Sequence, residues 1–347
     1  MSNPETFPEA GHIPGMTPPE FKKRLYGHQQ IIDRLYRQFE QNRLPAGLLL
    51  HGPKGIGKAS LAFELARKIT GASGSEPQSR VDEQIGAGVH PNVGTLRRAP
   101  RERGVGHYQN IRVDEVRTLL GKLHQTRGRA GRRIIIVDSI DDCNVNAANA
   151  LLKTLEEPPP QTHLVLISNR AGNLLPTIRS RCQAIAMRPL ASDFVEKILR
   201  DPQISQNVKS DIEISTAVKF SNGRPRRGFE ALNMGNIGVL KQLSDWLENP
   251  AGDNGQAIMS ISETLGNKKY QLEADFAREL LLDWIASRAK SASIANASPQ
   301  ELASFIELWE KANELFTTGD SFNLDKRQGF IVLFDLISSR AHFGAAH

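Results

Sequence analysis

Short apolar runs and amphipathic stretches alternate along the first half of the chain. An apolar run bounded by glycine or charged residues is typical of a strand buried on both faces, and such runs occur at Leu48–His51, Ile134–Val137 and Leu164–Ser168. Apolar residues spaced three and four apart predict helices, which cover Leu25–Phe39, Ala59–Thr70, Val113–His124 and Asn146–Glu157. Alternating strands and helices predict an α/β domain with a parallel sheet covered on both faces.

Other segments depart from this alternation. Gly71–Gly106 is rich in glycine, proline and charged residues, which predicts mostly loop. After Pro189 the strand signals end, and the remaining apolar residues predict helices only. The longer helices are expected at Leu240–Leu247, Ile258–Leu265, Phe276–Ala289, Leu302–Phe316 and Gly329–Ser338. This part also contains all three tryptophans, which we expect to anchor a helical core or to face a partner: Trp246, Trp284 and Trp309.

The expected domain organisation follows these changes in pattern. Residues 1–20 contain five prolines and little periodic apolar content, which predicts a mobile N-terminal tail. Residues 21–188 are expected to form the α/β domain. Residues 189–235 are expected to form a small helical domain, and residues 236–347 a second, all-helical domain.

Composition narrows the classes of protein that fit. The chain has 347 residues, of which 39% are hydrophobic and 24% are charged, as in soluble globular proteins. The longest apolar runs are far too short to span a bilayer, and the N-terminus lacks the apolar stretch of a secretory signal. Two cysteines, Cys143 and Cys182, cannot build a disulfide framework or a four-cysteine zinc site. We therefore expect a cytoplasmic protein with no membrane partner.

The positive charge of the chain is concentrated in one segment. The net charge is +6, yet Arg97–Arg133 alone contains ten arginines and one lysine against three acidic residues. Such a basic block suits an acidic partner such as nucleic acid. A solvated arginine-rich loop explains the charge equally well.

Residues 52–58 match the pattern G-x-x-x-x-G-K of a phosphate-binding loop. Gly52, Gly55 and Gly57 would let backbone N–H groups surround phosphate oxygens, and Lys58 would add a positive charge. The loop follows a predicted strand and opens a predicted helix, whose positive end favours anions. This context indicates the fold of a nucleotide-binding protein.

Two positions depart from a working ATPase. Ser or Thr normally follows the loop lysine and binds the Mg²⁺ that bridges the phosphates, but Ala59 stands there. Asp138 ends a predicted strand and could hold metal through water, whereas the next residue, Ser139, replaces the Glu that would activate the attacking water. Loss of a general base costs about 10²–10⁴-fold in rate. We expect an ATPase fold that does not hydrolyse ATP and retains at most weak ATP binding.

Two further segments, Asn149–Pro159 and Leu174–Cys182, closely resemble the clamp-loader subunits of bacterial DNA polymerase III, which belong to the AAA+ superfamily. The resemblance runs from about Tyr26 to Cys182 and continues more weakly through the helical C-terminal part. It implies an AAA+ P-loop domain over residues 21–188, a lid domain over 189–235 and an oligomerisation collar over 236–347. The family's motor subunits keep an intact loop, so the resemblance favours a subunit without hydrolytic activity of its own.

The resemblance also implies roles for single residues. Arg181 matches the arginine finger that reaches into the ATP site of a neighbouring motor subunit; without the family it would be interpreted as a surface arginine. Arg226 matches the sensor arginine of the lid, and a helix N-terminal turn explains it equally well. Asn169 matches a polar sensor of the γ-phosphate, although polarity at a strand end explains it nearly as well.

Partners and cofactors are implied in the same way. The chain would work beside gamma/tau motor subunits, the delta subunit, the β sliding clamp and primer–template DNA, within a polymerase complex classed as a nucleotidyltransferase. Many relatives carry a four-cysteine zinc module before the second strand, but Ile69–Arg133 contains no cysteine. Its histidines lack close ligand spacing: His90, His107 and His124. We expect no zinc and no required cofactor.

Two alternative functions stay open at this point. The chain could be an active AAA+ ATPase, such as the motor subunit or a branch-migration helicase, which Ala59 and Ser139 oppose. It could instead be a DNA-binding module built on Arg97–Arg133, which salt-dependent DNA binding by the isolated chain would favour.

Overall fold

The computed structural model describes residues 11–22, 24–72, 76–101, 106–125, 131–205, 210–252, 255–322 and 325–344. The chain divides into two compact units, Met1–Leu232 and Asn233–His347. Among the helices within the described ranges, none is long and apolar enough to cross a bilayer.

The first unit is built on a sheet of five parallel strands in the order β2-β3-β4-β1-β5. These are β1 (Gly47–His51), β2 (Val93–Leu96), β3 (Arg133–Asp138), β4 (Thr162–Ser168) and β5 (Gln183–Ala186). The three strands predicted from apolar runs are the inner strands, and nearly all their residues are buried. The predicted α/β class with a parallel sheet is confirmed.

Alternate residues of the inner strands face two layers of helices, because side chains along a strand point to opposite faces. Leu48 and Leu50 of β1 belong to one core, with α1 (Gln29–Glu40), α2 (Lys58–Gly71) and α3 (Gln78–Gly86). Leu49 belongs to the other core, with α4 (Val113–Gln125), α5 (Val145–Glu156) and α6 (Pro176–Arg181). The sheet is therefore covered on both faces, as expected.

The edge strand β2 and the helix α3 both lie within Gly71–Gly106, where the sequence predicts mostly loop. That prediction is wrong for these two elements. Val81 and Ile85 are the hydrophobic side chains that α3 buries, and β2 carries Gly94 and Thr95 at its centre. Neither element contains an apolar run that a periodicity argument could detect.

The N-terminal segment is folded where the structure describes it. Ile13 is buried, and the Thr17 N–H donates a hydrogen bond of 2.8 Å to the Ile204 carbonyl. The Glu20 side chain is also buried, against Arg97. The predicted mobile tail is therefore wrong for residues 11–20, because these contacts fix the backbone despite its prolines; residues 1–10 lie outside the described part of the chain.

Three helices complete the first unit: α7 (Ser192–Arg200), α8 (Asp211–Ser221) and α9 (Pro225–Leu232). Two backbone hydrogen bonds tie the α8–α9 connection to the sheet domain. The Leu190 N–H donates to the Gly223 carbonyl at 2.8 Å, and the Arg226 N–H donates to the Gly55 carbonyl at 3.3 Å. Most of the segment interpreted as a lid thus belongs to the same compact unit as the sheet.

The second unit is helical, as expected: α10 (Ile237–Glu248), α11 (Gln256–Gly266), α12 (Gln271–Ile294), α13 (Pro299–Phe322) and α14 (Lys326–Gly344). Trp246 is buried and meets Phe334 edge to face, with ring centroids 4.9 Å apart. Trp309 is 44% exposed. Of the two expectations for the tryptophans, the core anchor is confirmed for Trp246, whereas Trp309 is exposed and is not a core anchor.

The start of α8 gives a test of local stability. Ser210 Oγ accepts the Glu213 N–H, and Glu213 Oε2 accepts the Ser210 N–H at 2.9 Å. Because this capping box satisfies two otherwise unpaired donors, Ser210→Ala should lower the free energy of unfolding by about 1 kcal/mol. Ser215→Ala, in the same helix, should change it by less than about 0.5 kcal/mol. Denaturant unfolding followed by circular dichroism measures both; equal losses would contradict the cap.

Candidate functional site

The predicted phosphate loop connects the end of β1 to the start of α2, at the carboxyl edge of the sheet. Its three glycines all have positive φ, 149° at Gly52, 87° at Gly55 and 100° at Gly57. A Cβ on Gly52 would collide with the Met187 carbonyl, and one on Gly55 would lie 2.6 Å from Cβ of Arg226. The loop is therefore tightly packed against Met187 and Arg226. It also borders a cavity of about 250 Å³.

Lys58 turns inward at the start of α2. Its Nζ donates hydrogen bonds of 2.7 Å to the carbonyls of Gly52 and Pro53. Burial lowers the pKa of Lys58 to about 8, although the charges of Asp138 and Asp141 oppose the change. The loop lysine thus lines the cavity as a cation held by its own loop.

Asp138, at the end of β3, lines the cavity and is paired there with an arginine. Arg97 Nε lies 3.4 Å from Asp138 Oδ2. The same guanidinium makes two hydrogen bonds to the Glu20 carboxylate, of 3.1 and 3.2 Å. Burial lowers the pKa of Arg97, but the Asp138 charge and hydrogen bond oppose this. The aspartate predicted to hold metal is therefore paired with an internal cation.

Strand register explains this pair, which sequence reasoning missed. Leu96 of β2 is opposite Val137 of β3, so the next residue of each strand, Arg97 and Asp138, leave the sheet side by side. The pairing of β2 with β3 could not be predicted from the sequence, because the segment that forms β2 was predicted as loop. Once β2 is placed beside β3, the pair follows from the sequence.

Ser139 and Asn169 are held by one carboxylate, Asp141. Ser139 Oγ donates to Asp141 Oδ2 at 2.7 Å and lies 3.1 Å from the Ile167 carbonyl. Ser168 Oγ donates to Asp141 Oδ1 at 2.8 Å, and the Asn169 N–H donates to Oδ2. Asn169 and Ser139 both line the cavity. Asp141 therefore fixes the ends of β3 and β4, which the sequence did not indicate.

Arg226, at the start of α9, lines the same cavity and lies against Gly55 of the loop. Its Nε lies 2.9 Å from Glu230 Oε1, and its Nη1 donates to the Gly11 carbonyl at 2.6 Å. Arg226, which the sequence predicts as a lid sensor, therefore lies next to the phosphate loop. Its guanidinium is bound by Glu230 of its own helix and by the Gly11 carbonyl of the N-terminal segment.

Arg181 stands apart from these residues. Gly47, where β1 begins, packs so closely on the end of α6 that a Cβ there would lie 2.9 Å from the Arg181 carbonyl. The phosphate loop follows the other end of β1. The Arg181 side chain is exposed and pairs with Glu156 at 2.7 Å, and its Nη1 donates to the Thr177 carbonyl at 3.1 Å. The sheet thus separates Arg181 from the chain's own cavity.

The donor set at the cavity does not fit Mg²⁺ in the arrangement of an ATPase. Ala59 provides no hydroxyl, Asp138 is paired with Arg97, and the Ser139 hydroxyl is bonded to Asp141. Within the described residues, no cluster of three or more His, Cys, Asp or Glu side chains could hold a metal ion. The absence of zinc stays a prediction.

The basic segment Arg97–Arg133 is largely engaged within the fold. Its described arginines pair with carboxylates or polar groups, as in Arg98 with Asp142 and Arg112 with Glu115. Others contact His163, Asp114 and a backbone carbonyl: Arg132, Arg117 and Arg101. Arg103, Arg127 and Arg129 lie outside the described residues. In the described part of the segment, Arg97 is largely buried in a network with carboxylates, whereas Arg101 and Arg117 remain exposed, and Arg112 half-buried, beside their partners.

Several known proteins similar to this chain are named as DNA polymerase III subunits. Residues 27–191 match the family described as DNA polymerase III, delta subunit. The chain is 42% identical over 157 residues to the DNA polymerase III subunit delta' of Pseudomonas aeruginosa, covering 44% of this chain and 46% of that protein. It is 29% identical over 211 residues to the subunit delta' of Bacillus subtilis, covering 57% and 62%.

These matches cover less than two thirds of either relative's length. Among solved structures, a DNA polymerase III gamma subunit-related protein from Thermotoga maritima aligns with a TM-score of 0.41 at 19% identity, covering 89% of this chain and 99% of that one. The family match and the two delta' relatives agree with the motifs at Asn149–Pro159 and Leu174–Cys182. Over residues 27–191 the chain is therefore similar to the delta-prime subunits of DNA polymerase III.

Proposed function

We propose that this chain is a non-hydrolysing clamp-loader subunit that supplies Arg181 to the ATP site of a neighbouring motor subunit. The position of Arg181 is the observation that carries the proposal. Gly47 and His51, at the two ends of β1, are about 13 Å apart along a strand, so an arginine beside Gly47 lies at the opposite end of β1 from the chain's own loop. An exposed arginine in this place is available to another molecule.

The resting contacts of Arg181 are compatible with such a role. Its ion pair with Glu156 joins two exposed side chains, and exposed pairs contribute only about 0–1 kcal/mol. The guanidinium can therefore exchange Glu156 for a phosphate at low cost. A guanidinium matches phosphate oxygens with two parallel hydrogen bonds, and arginine fingers increase rates by about 10³–10⁵-fold in other NTPases.

The cavity of this chain supports the non-hydrolysing part of the proposal. Catalysis of phosphoryl transfer depends on Mg²⁺ and on a group that orients the attacking water. Ala59 supplies no metal ligand, and Ser139 supplies no carboxylate. Arg97 also neutralises Asp138. The missing hydroxyl, the missing carboxylate and the pairing of Asp138 with Arg97 therefore all oppose hydrolysis of ATP in this cavity.

The wider assembly follows from the family and forms part of the same proposal. The chain would stand beside gamma/tau motor subunits and the delta subunit in a machine that loads the β sliding clamp onto primed DNA. Its helical second unit would serve as the collar of that assembly. The site of action would be the cytoplasm.

Arg181→Ala should slow DNA-stimulated ATP hydrolysis by the assembled clamp loader while leaving assembly intact. The reason is that the variant removes a cation from a neighbouring site and no buried contact from its own fold. We expect a loss of at least about tenfold in kcat, a conservative fraction of the effect of arginine fingers. Steady-state ATP turnover by the reconstituted complex, with gel filtration of the same sample, measures both properties.

Arg179→Ala is the matched control, because Arg179 is exposed on the same short helix. It should leave turnover within about twofold of the unaltered complex. Equal losses in both variants, or unchanged turnover in a correctly assembled Arg181→Ala complex, would contradict the assignment of the finger.

The isolated chain should hydrolyse Mg²⁺-ATP at less than about 10⁻² s⁻¹, since loss of the general base alone removes about 10²-fold or more from ordinary rates near 1 s⁻¹. A phosphate-release assay on the purified chain measures this rate. Lys58→Ala, purified in the same way, defines the contaminating background. Turnover that is well above this background and disappears in Lys58→Ala would instead support an active ATPase.

A further inference from the structure

Positive side chains dominate the lining of the cavity beside the phosphate loop. Among the described residues that line it, seven lysine and arginine side chains outnumber two carboxylates, and the balance stays positive when Glu20 and Glu230, which pair with Arg97 and Arg226, are included. A concave site lined by one sign of charge concentrates the field and attracts ions of the opposite sign. The backbone N–H groups at the start of α2 add to the same potential. The cavity is thus suited to a multivalent anion.

Arg97 provides a fixed charge where an ATPase would place a metal ion. Its guanidinium lies 3.4 Å from Asp138, is held by two hydrogen bonds to Glu20, and lines the same cavity as Lys58. A divalent cation would therefore meet a guanidinium in front of the aspartate and no hydroxyl at Ala59. The positive charge that would neutralise bound phosphates is therefore supplied by the Arg97 side chain.

Lys22 contributes a second cation from the N-terminal segment. Within the described part of the chain, no hydrogen bond or ion pair ends on its Nζ. Burial lowers the pKa of Lys22 to about 8; the charge of Glu20 opposes the change and that of Arg226 adds to it. At neutral pH the Lys22 amine is mostly in its charged ammonium form. It lines the cavity without a counter-ion at hydrogen-bonding distance.

We propose that this cavity binds an oligophosphate without a divalent cation, with Arg97, Lys58 and Lys22 in place of Mg²⁺. The ligand class is the phosphate chain of a nucleoside di- or triphosphate, or inorganic pyrophosphate. The proposal builds on the non-hydrolysing character of the cavity and is independent of Arg181. A phosphate chain held in this cavity without metal would stabilise the folded subunit, because any ligand that binds only the folded state raises the free energy of unfolding.

The dependence on Mg²⁺ distinguishes this site from that of an ATPase. An ATPase binds the metal complex, because its hydroxyl and aspartate are ligands of the metal. Here, chelation of Mg²⁺ would reduce the negative charge of the ligand and bring a like charge close to Arg97. Free ATP should therefore bind at least about threefold more tightly than Mg²⁺-ATP, a modest share of the Coulomb energies available at these distances.

Isothermal titration calorimetry of the full chain tests the proposal, with ATP and with pyrophosphate, each in EDTA and in excess Mg²⁺. The expected result is binding in EDTA that Mg²⁺ weakens. Tighter binding in Mg²⁺, or no heat with either ligand in EDTA, would overturn it. Binding of ATP alone would show that the nucleoside contributes, and binding of both would show that the phosphate chain suffices.

Two variants locate the binding and its charge. Lys22→Gln should weaken binding in EDTA by about tenfold, the effect of one hydrogen bond to a charged group. Lys153→Gln, an exposed position on α5 outside the cavity, should leave it unchanged. Unchanged binding in Lys22→Gln, or an equal loss in both variants, would place the ligand elsewhere.

Ala59→Thr restores the hydroxyl that an ATPase uses but leaves Arg97 beside Asp138. On the proposal, Mg²⁺ should still weaken binding to this variant. A variant that becomes dependent on Mg²⁺ would show that Arg97 does not take the place of the metal. These equilibrium measurements can fail while the Arg181 experiment succeeds, and the reverse is also true.

Discussion

The ion pair between Arg97 and Asp138 is the interaction on which the first unit's chemistry depends. Parallel pairing of β2 with β3 places the two residues side by side, and Glu20 completes a buried network on the other face of the guanidinium. A buried charge is stable only when it is paired and hydrogen-bonded. One network therefore holds the N-terminal segment in place and also withdraws the aspartate from metal binding.

The parallel sheet then divides the surface into two edges with different uses. The carboxyl edge carries the phosphate loop, Asp138 and Asn169 around one cavity. The amino edge carries Arg181 beside Gly47. Because β1 spans about 13 Å between these two edges, Arg181 lies well away from the chain's own cavity. This separation is compatible with the contribution in trans that we propose.

The sequence predicts the elements whose pattern is strong and misses those fixed by distant contacts. β1, β3 and β4 have apolar runs because both faces of each strand are buried. β2 and α3 carry few core side chains, so their positions are determined by neighbours that are remote in sequence. The same reason applies to the site: Lys58 and Ala59 are found from a local motif, whereas Arg97, Glu20 and Lys22 converge only through strand register and the folded N-terminal segment.

Packing explains why the loop needs its glycines whether or not the chain hydrolyses ATP. A side chain at Gly52 would collide with the Met187 carbonyl after β5, and one at Gly55 would collide with Arg226 of α9. Both residues also have φ values that favour glycine. Neither constraint involves a nucleotide. Ala59, at the start of α2, carries no hydroxyl, and the phosphate loop keeps its shape without one. The loop therefore preserves the shape of an ATP site for steric reasons, and its glycines by themselves are not evidence of hydrolysis.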